Sequence, residues 1–284
     1  MQAADPNTFQ ERIGGMRTGN LQTLDLIAGK EGSLSNYSLG LSRTLTGYQA
    51  LRHRHCFEQV RYLIEGEVDY GNGRVLKEGG VAYFPESVHY GPQVRKPGTK
   101  MVEIQFGGAN ECGYVSRRQW DEAVRELRTT GTLENGVYTY IDEKGQRHNR
   151  DSFEAMWEKA IGIKPRYTAP RYNEIVILTP ASFRWIDEKE SPGIAHKWVG
   201  TFTERGTRLG FVRIEAGATS EAGTHHAPEI LFLAKGAVQA NGQSYPVHSA
   251  FGFEPGEPTI SIVATETSEF LRLQLPDLKV PLAS

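Results

Sequence analysis

The chain has 284 residues, 38% hydrophobic, 10% aromatic and 23% charged, with a formal net charge of -2. That is enough chain for one large domain or two of ordinary size, and the charge balance argues against bulk attraction to nucleic acid or a membrane surface. The two cysteines, Cys56 and Cys112, form no Cys-x-x-Cys pair, which argues against a disulfide framework.

The first thirty residues carry no charged-then-apolar leader, and no apolar run is long enough to span a bilayer. A cytoplasmic location is the expectation. The 31 glycines and 14 prolines cut the apolar text into short runs, which favours a β-rich fold.

An apolar run at Leu21–Ala28 comes first. Short strands are then expected at Tyr37–Arg43, Gln59–Ile64, Val81–Phe84 and Met101–Phe106. Turn signals separate them at Asn72-Gly73, Glu78-Gly79-Gly80 and Lys96-Pro97-Gly98. From Ser116 the character changes. Trp120, Val124 and Leu127 share one face of a helix expected over Arg117–Thr129. A hairpin is expected over Gly136–Asn149, turning at Glu143-Lys144-Gly145. Asp151-Ser152 reads as the cap of a second helix, Phe153–Ile161. Strands return at Ile175–Leu178, Trp198–Phe202, Leu209–Ile214, Ile230–Leu233 and Phe270–Leu275.

The second strand-rich half repeats the first at an offset of 170 residues. Gly47, His55, Gln59, Gly66 and Pro85 match Gly217, His225, Glu229, Gly236 and Pro255. Asn-Gly turns lie between the motif segments of both halves, at Asn72-Gly73 and Asn241-Gly242. Such a repeat implies two copies of one β-rich unit bridged by a helical insert. The limits expected are 1–115, 116–172 and 173–284. The copies differ at candidate ligands: His53 is matched by Gly223 and His89 by Thr259. The second copy, with His225 and Glu229, is expected to be mainly structural.

His53, His55 and Gln59 stand at i, i+2 and i+6, so on a strand they share one face. His89 arrives from a separate strand after a proline turn. Three imidazoles and one amide, with positions left open, suit a catalytic metal. Arg61, two residues past Gln59, falls on the same face and suits a clamp for a substrate carboxylate or enolate. A bulge turning it to solvent, or a salt bridge to Glu65 or Glu103, is the alternative. For Tyr83 and Tyr90, core packing or a solvent-facing ring is expected.

These residues resemble the cupin superfamily. Its first motif, G-x5-H-x-H-x(3,4)-E-x6-G, is filled by Gly47, His53, His55, Gln59 and Gly66, with Gln in the Glu place. Its second motif, G-x5-P-x-G-x2-H-x3-N, is read on Gly79, Pro85, His89 and Gln93, with Ser87 in the glycine place. The resemblance implies an all-β bicupin: two double-stranded β-helix (jelly-roll) barrels in tandem with a helical connector. It implies one divalent metal ion at His53, His55, Gln59 and His89, with iron(II) favoured and zinc, nickel or manganese as alternatives. The activity expected is an iron dioxygenase cleaving a chelating enol, phenol or hydroxy acid, with dioxygen as co-substrate. The alternatives are a non-redox isomerase, cyclase or lyase, and a small-molecule-binding cupin with a structural metal. Without a carboxylate on the metal, a base would have to come from nearby, and Glu103 and Gln105 are the candidates. Neither nucleic acid nor membrane is an expected partner, and the chain is expected to be a monomer or homodimer.

Overall fold

The computed structural model describes residues 1–8, 12–14, 18–223 and 226–281. Expected strands and helices appear, most of them longer than their apolar runs suggested. The strand at Tyr37 continues to Ala50, and the Leu21–Ala28 run begins at Thr18. Backbone pairing carries these strands past the point where apolar alternation stops.

The first half forms an antiparallel sheet in which Glu58–Glu65 lies between Val81–Phe84 and Lys100–Phe106. The second half repeats the arrangement, with Glu229–Lys235 between Ala250–Phe253 and Ser268–Gln274. The repeat is visible in the backbone. Gly66 and Gly236 have φ of 87° and 84°, and Asn72 and Asn241 of 54° and 51°. Each half also lends a strand to the other. Gln2–Ala4 pairs with Ala250–Phe253, and Val176–Leu178 pairs with Val81–Phe84.

The central strand of the first barrel is buried on both faces, so its alternation divides two cores. Gln59, Arg61 and Leu63 share one face, and Leu63 packs in the barrel interior with Phe84, Tyr90 and Met101. On the opposite face, Val60 belongs to a core that joins the barrels through Leu39, Phe211, Phe232 and Leu271. Each fully buried side chain of this kind contributes about 1.5–3 kcal/mol.

The connector is more than two helices. α1, Arg117–Thr130, begins at a capping box in which Ser116 accepts from the Gln119 backbone and Gln119 accepts from that of Ser116. α2, Ser152–Ile161, is capped by Asp151, which accepts from the Phe153 and Glu154 amides at 2.8 and 3.1 Å. The expected hairpin is present as Val137–Ile141 and Arg147–Asp151. Gly131–Glu134 adds a third strand that the sequence reading missed. The insert packs through Ala123, Leu127, Phe153, Met156 and Trp157 onto Cys56 and Phe57 of the first barrel. Both cysteines are free thiols, and burial raises the Cys56 thiol to about 12. No helix among the described residues is long and apolar enough to cross a membrane.

Candidate functional site

His53 and His55 lie on an irregular extended segment, not on a ladder strand. A single bridge pins that segment. The His53 amide donates to the Tyr90 carbonyl at 3.0 Å, and the Tyr90 amide donates back to His53 at 2.9 Å. The Ser87 amide adds a bond to the His55 carbonyl at 2.8 Å. Gln59 and Arg61 follow on the ladder strand, opposite Gln105 and Glu103. A cavity of about 170 Å³ opens among these groups, lined by His53, His55, Arg61, Gln93, Arg95 and Glu103. The insert supplies part of its wall, Trp120 from α1 and Phe153 from α2. Phe153 lies 5.4 Å from the His55 ring, centroid to centroid.

Arg61 organises the polar groups. It is 5% exposed. Its guanidinium donates to Gln93 Oε1 at 2.8 Å, Gln59 Oε1 at 3.1 Å and the Tyr70 hydroxyl at 3.3 Å. The Tyr90 hydroxyl lies at 3.5 Å and the Glu103 carboxylate at 3.4 Å. Burial acts against the charge, but the oxygens of Tyr70, Tyr90 and Glu103 outweigh it, and the Arg61 pKa is raised. Burial would raise the Glu103 carboxyl, yet Arg95 and Arg61 hold it below its ordinary value. The Arg95 pair with Glu103 is 2.5 Å long. Two guanidiniums therefore face one carboxylate. Burial raises the Tyr90 hydroxyl pKa, so that residue is a neutral phenol.

The tautomers follow from this network. A guanidinium has donors only, so it faces the Gln59 amide oxygen and turns Gln59 Nε2 towards His55 Nδ1. His55 thus accepts at Nδ1. His53 does the reverse, donating from Nδ1 to the Leu51 carbonyl at 2.6 Å, so its lone pair is on Nε2.

The structure brings together His53, His55, Gln59 and Arg61 of the residues singled out in the sequence. It does not bring in His89. That side chain is exposed and lines a different cleft with Arg52, Asn72 and Arg74. The place beside the two imidazoles belongs to Tyr90, whose ring centroid is 4.5 Å from that of His53. Spacing could have shown this. Counted from Pro85, the histidine of P-x-G-x2-H falls on residue 90, not 89. Ser87, in the glycine place, holds the left-handed φ of 65° that the turn requires. Both tyrosines pack, Tyr83 stacked 4.2 Å from Phe202 and Tyr90 in the interior 4.6 Å from the Phe84 ring, but Tyr90 also brings its hydroxyl to 3.5 Å from His55 Nδ1. Glu103 and Gln105 line the cavity, Glu103 as the partner of both arginines and Gln105 as a donor to Gln59 Oε1 at 3.3 Å.

The donors these residues present decide their fit to a divalent metal. Among the described residues no three His, Cys, Asp or Glu side chains are placed to hold one. Tyr90 is a neutral phenol, the Gln59 oxygen is engaged by Arg61, and His55 turns its acceptor nitrogen to Gln59. A buried guanidinium adjoining these groups repels a second cation. The set does not fit a tightly held metal.

In the second barrel, Glu229, the match of Gln59, forms an ion pair with Arg272. Both line a cavity of about 300 Å³ with His196 and Phe270. His225 lies outside the described residues.

No family model matches the chain. No curated protein matches it either. Solved structures do. A Nostoc punctiforme protein proposed to be a dioxygenase aligns with TM-score 0.64 and 14% identity, over 99% of this chain and 84% of that one. Oxalate decarboxylase from Bacillus subtilis, solved at pH 4.6, aligns with TM-score 0.56 and 13% identity, over 98% and 76%. A study of the Mn(II) centres of that decarboxylase gives TM-score 0.56 and 12% identity, over 98% and 78%. The class is thereby fixed at the level of fold: the protein is all-β with the bicupin architecture, two cupin barrels in one chain.

Proposed function

We propose that the protein is a cupin-fold enzyme acting on a small organic acid bound in the cavity of the N-terminal barrel. The observation that carries this reading is the buried Arg61, lining a cavity in which two guanidiniums share one carboxylate. An anion completes such a site, and guanidinium matches carboxylate geometry. The decarboxylase neighbour takes its name from a small acid, oxalate, which is consistent with this class.

The chemistry favoured is proton transfer of the isomerase or lyase kind. His53, with its lone pair on Nε2, is the candidate base. Tyr90, a neutral phenol 3.5 Å from both Arg61 and His55 Nδ1, is a positioning residue for these two and is not itself part of the cavity lining. Arg61 holds the acid head group and stabilises charge that develops next to it.

The iron(II) dioxygenase expected from the sequence is the competing reading. One observation favours it: a backbone carbonyl on Nδ1 with the lone pair on Nε2 is how metal-ligating histidines are oriented. The test is incubation with small carboxylic and hydroxy acids in D2O without oxygen, followed by NMR. Deuterium uptake, isomerisation or elimination supports proton transfer. Turnover only with added iron and dioxygen overturns it in favour of the dioxygenase.

A further inference from the structure

We propose that the guanidinium of Arg61 takes the place of a metal in this barrel, receiving the carboxylate of an acid about one six-membered ring in size, with no metal required for binding. The proposal rests on the organic-acid reading above and adds how the acid is held and which acids fit.

Three observations converge. The first is the location of the cation. Arg61 touches Gln59 and approaches Tyr90, the residues at the Glu and His places of the two motifs, at 3.1 and 3.5 Å. Where the motif pattern would put an anionic ligand and a third imidazole, this chain has a neutral amide, a neutral phenol and a fixed positive charge. The charge such a site offers to an anion therefore comes from Arg61.

The second is unused donor capacity. Gln93 Nε2 and Arg95 Nε are buried and have no hydrogen-bond partner, Arg61 Nε has the Glu103 carboxylate at 3.4 Å, and all three residues line the cavity. Arg61, Gln93 and Arg95 are 5%, 1% and 3% exposed. Buried donors left unmatched are costly, and two guanidiniums against the single carboxylate of Glu103 leave the lining with an excess of positive charge that an anion offsets. A carboxylate brings two oxygens with about four acceptor sites.

The third is the apolar part of the lining and the size of the space. Trp120, Phe153 and Leu21 also line the cavity. Two of them come from the insert, so the connector contributes to ring recognition. The volume of about 170 Å³ is close to the roughly 150 Å³ of an engineered apolar cavity that accepts benzene. A flat, one-ring or equally short acid fits, with its carboxylate on the Arg61 side and its apolar body against Trp120 and Phe153.

The experiment is calorimetric titration of the full chain with benzoate and with acetate, before and after exhaustive dialysis against a chelator. The expected result is benzoate binding unchanged by the chelator, with acetate weaker by ~tenfold or more, the loss of at least one well-packed apolar contact surface. Arg61→Gln is expected to weaken benzoate by ~tenfold or more, the loss of a charge-assisted bond. Because Arg61 is buried, that variant is checked by its circular dichroism melt. Trp120→Ala, at the half-buried cavity wall, supplies an independent reading: it should narrow the preference for benzoate over acetate. Binding that disappears on chelation and returns with iron or manganese overturns metal independence. Acetate and benzoate binding equally overturns the ring-sized class. If neither acid binds before or after chelation, the organic-acid reading itself fails, which distinguishes the two failures.

Discussion

Arg61 Nη2 donates to Gln59 Oε1 at 3.1 Å, and that bond sets the orientation of the rest of the site. It fixes which end of the amide faces His55, and hence which nitrogen of His55 accepts. Gln at this position is thus suited to a guanidinium neighbour rather than to a metal. Gln59→Glu would place a carboxylate on Arg61 and neutralise it internally. Binding of a small organic acid should then weaken by roughly tenfold or more, since about 1.4 kcal/mol is lost for each factor of ten. Calorimetry on the variant, with a melt to confirm folding, checks this.

His89 and Tyr90 give a paired prediction. His89 is exposed in another cleft, so His89→Ala should change stability by less than about 0.5 kcal/mol and leave acid binding within roughly twofold. Tyr90→His should bring a third imidazole beside His53 and His55 and tighten zinc binding relative to the native chain by roughly tenfold. Equilibrium dialysis against zinc reads both variants. A loss of zinc uptake in His89→Ala would show that His89 belongs to the site after all.

Glu58 predicts a pH dependence of stability. Its side chain faces away from the cavity, accepting from the Ala109 amide and from Thr207 of the second barrel, both at 3.2 Å. Burial, with the nearby charge of Glu86, raises its pKa from 4.5 to about 8. The folded state therefore holds a proton that the unfolded state has released between these two values. The stabilising contribution is complete below about 4.5 and is lost as pH rises through about 8, with a slope of at most ~1.4 kcal/mol per pH unit for this one group. Glu58→Gln should flatten urea-unfolding free energies across that window. An unchanged slope would mean that Glu58 ionises normally.

Ser87 holds φ of 65° with a buried hydroxyl that has no hydrogen-bond partner. Left-handed backbone costs a residue with a Cβ about 1–2 kcal/mol. Ser87→Gly should raise the unfolding free energy by roughly 1 kcal/mol, after offsetting glycine's greater freedom in the unfolded chain. Thermal and urea melts test it, and a lower midpoint would sink the strain argument.

Much of the fold was legible because short-range patterns carry it. Apolar alternation placed the ladder strands, and Asp151 capped the second helix as its side-chain chemistry dictates. The duplication reappeared as matching left-handed positions at Gly66 and Gly236. The third strand of the insert was not legible, since Gly131–Glu134 has no strong alternation and is held by its pairing with Val137–Ile141. The exchange of Gln2–Ala4 and Val176–Leu178 between the halves was hidden for the same reason: pairing partners far apart in the chain leave no local signal.

The sequence by itself determined two cupin-like copies, the His53-x-His55 segment and an arginine two residues past Gln59, because strand alternation and motif spacing are local. It determined neither where His89 points nor what Arg61 does. Those depend on the left-handed turn at Ser87, the bridge between His53 and Tyr90, and a guanidinium buried among Gln59, Gln93 and Glu103. Only the closed barrel brings these groups within hydrogen-bond reach, where a buried cation and its neutral neighbours decide whether the site suits a metal or an anion.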